Sequence, residues 1–178
     1  MPRPLRLAFD PVARAQQLWR ERWAADDSMA AATSVMRVQQ LLLARYEQAL
    51  RPHGLTFARY EALVLLGFSR SGRLPLSVIG ARLMVHPTSV TNIVQRLARA
   101  GLVERTANPR DGRGTLAGLT PAGRALMERA TESLVDLDFG LSVLDAGERA
   151  QLFALLRKVR AGAEDFIDPP LDSAPLDN

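Results

Sequence analysis

The sequence predicts a mostly α-helical fold with a small β-hairpin: a winged helix-turn-helix domain joined to a helical dimerisation region. Three observations carry this expectation. Apolar residues recur at helical spacing through most of the 178 positions. Two compact amphipathic helices sit together, separated by a short break at Val85 and His86. The stretch ANPRDGRGTLAGLTPAG at 107–123 then sets a glycine-rich turn between two short runs that read as strands, LVERT and TLAGLT. The length suits one well-buried core.

The elements follow in order. Residues 11–25 place Val12, Ala15, Leu18, Trp19 and Trp23 on one helical face behind a proline suited to a first turn, so that 1–27 forms an extra N-terminal helical segment. A longer helix over about 28–51 repeats Met29, Met36, Leu43 and Leu50 at sevens, with Ala32, Gln39 and Tyr46 between, and such a seam needs a partner. Pro52, His53 and Gly54 end it. Thr56 caps the next helix, with Phe57, Tyr60, Leu63, Val64 and Gly67 on one side and Gly72 closing it. Leu74–Leu76 reads as a strand and Ser77 as the cap of the first compact helix. Pro87 starts the second.

Beyond the hairpin, Thr120 and Pro121 open a helix whose apolar stripe is Leu126, Ala130, Leu134, Leu137 and Leu141. Asp145 with Glu148 makes an acidic capping box for a last helix carrying Leu152, Leu155, Leu156 and Val159. The expected organisation is a segment 1–27, a dimerisation region of 28–55 and 121–167, a winged helix-turn-helix over 56–120, and a disordered tail over 168–178.

Charge favours a polyanionic partner. The net charge is +4, but all 23 basic residues lie at or before Arg160 and five of the 19 acidic residues lie beyond it. Since 22 of the 23 are arginine, genomic composition is the competing explanation, and position has to decide. Cysteine is absent, which excludes disulfides, thiolate metal sites and cysteine catalysis. No run has the length of a membrane span and the first residues lack the apolar core of a signal peptide, so a soluble cytoplasmic protein without membrane contact is expected. His53 and His86 have no spacing that makes a metal site or a triad, and each reads as a cap or surface residue. Neither an enzyme nor a cofactor is expected.

The second compact helix gives the sharper test. At about 100° per residue, Val90, Ile93, Val94 and Leu97 fall together, and Thr88, Thr91, Asn92, Gln95 and Arg99 fall opposite. Short hydroxyls at a helix start reach phosphates or thymine edges, and Asn and Gln pair bidentately with adenine. An ordinary solvated face would share the polarity. The hairpin adds Arg110 and Arg113 around Asp111, a tip that fits a narrow minor groove. The candidate DNA-facing set is Pro87, Thr88, Ser89, Thr91, Asn92, Gln95, Arg96, Arg99, Arg110, Asp111 and Arg113, and the expected partner is double-stranded DNA.

The run DGRGTLAGLTPAG resembles the D-x-R-x5-L-T-x-x-G signature of the MarR family, with Asp111, Arg113, Leu119, Thr120 and Gly123 in register. Ahead of it, Arg96, Leu97, Gly101, Leu102, Val103 and Arg105 match that family's R-L-x-x-x-G-L-V-x-R. The resemblance covers residues 28 to about 165. It implies a homodimer on a palindromic operator, with Arg113 in the minor groove, Asp111 positioning it, and the helix from Pro87 reading the major groove. It also implies repression relieved by a small aromatic or acidic ligand held near Trp19, Arg37, Tyr60 and Glu61. The extra helix resembles the urate-responsive branch, which uses a tryptophan there, an acid in the helix before the strand and an arginine in the recognition helix. Trp19 and Glu61 match the first two, and Ile93 stands in the arginine's place. Packing at a dimer interface is the competing reading for Trp19. Two other readings of the chain are a ligand-free architectural DNA-binding dimer and an enzyme-associated helical dimerisation domain.

Overall fold

The computed structural model describes residues 7–109 and 111–167. Its elements are α1 (Pro11–Arg20), α2 (Asp26–Leu50), a 3-10 turn (Arg51–His53), α3 (Phe57–Phe68), β1 (Arg73–Pro75), α4 (Leu76–Leu83), α5 (Pro87–Arg99), β2 (Val103–Asn108), β3 (Asp111–Leu119), α6 (Pro121–Val135), a second 3-10 turn (Asp138–Gly140) and α7 (Ala146–Gly162). The expected disordered tail, 168–178, lies outside the described residues. None of the described helices is long and apolar enough to cross a membrane. The chain divides into two compact units, one up to Gln48 and one from Ala49.

In the first unit Asp10 caps α1, accepting from the backbone of Val12 at 2.8 Å and of Ala13 at 3.3 Å. The helix stops at Arg20 rather than continuing to 25, because side chains of its last turn bind the chain beyond it. The Trp19 indole donates to the Ala24 carbonyl at 3.0 Å, and Arg20 donates to the Asp26 carboxylate at 2.7 Å. That hydrogen bond from Arg20 holds the Asp26 carboxyl below its ordinary range. Trp23 leaves the helix, yet its ring still meets Trp19 with centroids 4.7 Å apart. On α2, Val35, Met36, Val38 and Leu41 are all exposed.

The second unit is built around α3, which packs against α4, α5, α6 and β3. Gly54 closes the 3-10 turn with φ +67, a left-handed conformation. Thr56 caps α3 through the backbone N–H of Arg59. Tyr60, Ala62, Leu63 and Leu66 are its buried residues. Tyr60 donates its hydroxyl to Thr131, which itself donates to the Met127 carbonyl. His53 is half-buried and not a surface or capping group, because its Nε2 bonds Ser133 Oγ of α6 at 2.8 Å. Gly67 lets α3 approach α6 closely: a Cβ there would stand 2.8 Å from Met127 Sδ.

Ser77 does not cap α4. The helix begins at Leu76 after Pro75, whose extended backbone (φ −60, ψ 143) leads directly from the β1 pairing Pro75↔Leu116 into the first turn. Met84 ends α4 in the left-handed region, and the Val85 N–H returns to the Gly80 carbonyl at 3.0 Å. His86 caps α5 by accepting the Thr88 N–H on Nδ1 at 3.3 Å, which requires an unprotonated Nδ1. Three antiparallel strands follow in the order β1-β3-β2. The glycine-rich stretch is mostly strand. β3 already begins at Asp111, opposite Asn108, with a register shift at Ala107/Asn108.

Thr120 fastens the sheet to α6. It accepts from the Gly123 N–H at 3.0 Å and donates to the Gly101 carbonyl at 2.8 Å. The apolar stripe of α6 ends sooner than its spacing suggests, since the helix stops at Val135 and Leu137 and Leu141 lie beyond it. Asp138, Phe139 and Gly140 all take positive φ there, and Arg149 pairs with Asp138 across the bend. α7 opens on the expected capping box, Asp145 and Glu148 exchanging backbone and side-chain bonds at 2.9 Å.

Candidate nucleic-acid interface

The geometry of α5 separates two faces. Val90, Val94 and Leu97 are buried at no more than 1% exposure. Pro87, Thr88, Ser89, Thr91, Asn92, Arg96 and Arg99 are exposed, and Gln95 is half-exposed. Burial of the apolar face fixes the helix in rotation, so the polar face is held outward. The contact with α4 is close: a Cβ on Gly80 would lie 3.1 Å from Val90 Cγ2. Gly80 therefore lets α4 seat α5.

Arg96 and Arg99 lie in the last turn of α5, where cations complement the helix dipole. Neither pairs with an acid among the described residues. Two guanidiniums left in water beside a row of hydrogen-bonding side chains make a surface suited to an anionic polymer. Opposite the tip, the root of the hairpin is pinned. Arg73 of β1 pairs with Glu104 of β2 across β3, passing over Gly118, where a Cβ would meet Glu104 Cγ at 3.0 Å and Arg73 Cγ at 3.2 Å. Sequence spacing gave no sign of this clasp, because it joins residues 31 apart over a third strand. Arg110 lies outside the described residues. Asp111 and Arg113 are placed on β3 by their backbone alone.

The four residues grouped for a ligand divide between the units. Trp19 and Arg37 belong to the first and are exposed; Tyr60 and Glu61 belong to the second. Tyr60 is 6% exposed with its hydroxyl committed to α6. Glu61 is half-buried, and burial raises its carboxyl above the ordinary 4.5. For an acid this sign means that the folded state binds the proton more tightly. The buried carboxylate then costs stability as pH rises from 4.5 through the raised value.

Known proteins share this arrangement. A family model described as MarR family matches residues 53–114, from the turn before α3 into the start of β3. The solved structure of Sco5413, a MarR family transcriptional regulator from Streptomyces coelicolor, is 57% identical, with a TM-score of 0.74 over 80% of this chain and 99% of that one. The HTH-type transcriptional regulator MhqR of Bacillus subtilis is 30% identical over 115 residues, 64% of this chain and 78% of its own. A mutant MarR from E. coli, solved with operator DNA, is 27% identical with a TM-score of 0.67, covering 76% of this chain and 97% of that one. With nearly the whole of Sco5413 matched at that identity, and with an outward polar face on α5 and an antiparallel β2–β3 hairpin, the chain belongs to the MarR family: it is a DNA-binding transcriptional regulator and not an enzyme.

Proposed function

We propose that the protein is a homodimeric repressor that binds a palindromic operator, with α5 in the major groove and the β2–β3 wing in the minor groove. The observation that carries this reading is the outward face of α5, fixed by burial of Val90, Val94 and Leu97 and bearing Thr88, Asn92, Gln95, Arg96 and Arg99. Arg113 is assigned to the minor groove and Asp111 to its positioning, on the match to the family signature. The helices outside residues 56–120 are assigned to dimerisation. On α7, Phe153, Leu155 and Val159 stand exposed with no buried residue on the helix.

Variants separate the roles. Arg113→Ala is expected to weaken operator binding and to lower the slope of log affinity against log salt by about one unit. Asn92→Ala and Gln95→Ala are expected to relax base preference at one position each, at about 1–3 kcal/mol of discrimination. Filter binding at several salt concentrations reads both. An Arg113→Ala protein with unchanged affinity at physiological salt overturns the wing assignment.

The repressor is further proposed to release DNA on binding a planar aromatic acid beside the half-buried Glu61 of α3. Support comes from the half-buried Glu61, whose carboxyl is raised above its ordinary value by burial. Tenfold release requires about 1.4 kcal/mol of coupling, and operator DNA must weaken ligand binding by the same factor. Phenolic acids and purines titrated against tryptophan fluorescence, with and without operator, are expected to include one that both quenches and displaces. A panel that displaces nothing favours a ligand-free architectural dimer.

A further inference from the structure

We infer that the start of the recognition helix reads a thymine by its methyl group, through an apolar strip formed by Thr91, Pro87 and the neighbouring surface of α4. The inference rests on the reading of α5 as the major-groove helix and names the chemistry it recognises.

Thr91 looks like a hydrogen-bonding residue in the sequence, but its hydroxyl proton is already committed. Thr91 Oγ1 donates its proton to the Pro87 carbonyl one turn back, at 3.0 Å. That carbonyl lies in the first turn of the helix, and the bond holds the threonine side chain in one rotamer. The hydroxyl then has no proton to offer a base and keeps only acceptor lone pairs, while the γ-methyl is open to apolar contact. Pro87, four residues earlier on the same stripe, presents only its ring carbons and lacks an N–H.

These two side chains form one wall of an apolar groove. The groove is also lined by Leu76, Ser77, Gly80 and Ala81 of α4 and by Met84 and Val85 in the turn that follows it. At about 100° per residue, Pro87 and Thr91 lie on the edge of the polar face that carries Thr88, Asn92 and Gln95. The groove is therefore continuous with the surface assigned to base reading. Met84 is 82% exposed, so the rim carries a flexible apolar side chain able to close over a small group. In the major groove the thymine C5-methyl is the apolar feature that distinguishes one base from the other three, and threonine methyls are suited to contact it. Asn92 and Gln95, roughly one and two turns beyond Pro87, remain free to pair with an adenine edge nearby.

The test removes that methyl alone. Operator duplexes are made with deoxyuridine replacing thymidine at one position at a time, symmetrically in both half-sites, and affinity is measured with the full-length protein. The native chain is expected to lose about fourfold per buried methyl, hence roughly fifteenfold for the symmetric pair, at one position only. Thr91→Ser, which keeps the hydroxyl and removes the methyl, is expected to bind thymidine and deoxyuridine operators almost equally at that position. Thr91→Val, which keeps a methyl and removes the hydroxyl, is expected to retain the preference. Specific operator binding with no thymidine preference at any position overturns the inference and leaves the recognition-helix reading standing. So does a Thr91→Ser protein that discriminates as well as the native one. A protein showing no preference for any sequence would overturn the recognition-helix reading itself.

Discussion

Replacing Gly123 with alanine is expected to destabilise the second unit by at least about 3 kcal/mol, enough to threaten folding at 37 °C. A Cβ at this position would stand 2.1 Å from the carbonyl oxygen of Leu102 and 2.9 Å from Leu119 Cδ1. The nearest atom is backbone, so no rotamer change relieves the overlap, and α6 would have to lift off the start of β2. Lifting it breaks the local network as well. The Gly123 N–H caps through Thr120, and the Thr120 N–H and hydroxyl bond the Leu102 and Gly101 carbonyls. Gly54→Ala is the matched control. It meets nothing within 4 Å but sits at φ +67, so only about 1–2 kcal/mol of left-handed strain is expected. Urea denaturation reads both, and a Gly123→Ala protein as stable as the native chain would show that the α6–β2 contact is not tight.

The double substitution Leu155→Asp, Val159→Asp is expected to convert the protein to a folded monomer and to reduce operator affinity by at least about 100-fold. The two residues lie one turn apart on α7 and are 53% and 69% exposed within the chain. Charges there meet water in a monomer and are tolerated. In a dimer built on this face they would be desolvated without partners, at several kcal/mol. The operator loss follows because each half-site would then be bound alone, without the effective concentration that linkage supplies. Sedimentation at micromolar concentration and far-ultraviolet circular dichroism read assembly and folding separately. A dimer that survives both aspartates places its interface elsewhere.

Local signals in the sequence were read correctly where a single residue type answers a single backbone need. Thr56, Thr120 and the Asp145–Glu148 pair cap the helices they precede, and Pro87 opens α5. The division of α5 into Val90, Val94 and Leu97 against a polar face was legible from period alone, and the candidate interface with it. What was not legible depends on contacts between distant residues or on chain direction. Ser77 has the chemistry of a cap, but Pro75, paired with Leu116, has already set the entry to α4. Leu137 and Leu141 continue the spacing of α6, yet the chain bends at Asp138 and Phe139, where no glycine or proline precedes the bend. The commitment of Thr91 to the Pro87 carbonyl changes what that threonine offers to DNA, and no pattern of residue types encodes it.

Selection of duplexes from random DNA tests the proposed two-fold reading of sequence through α5 most directly. The expected product is a pseudo-palindrome whose half-site centres lie about one helical turn, 10–10.5 base pairs, apart. Enrichment of a single unrepeated site, or of no sequence at all, would contradict it.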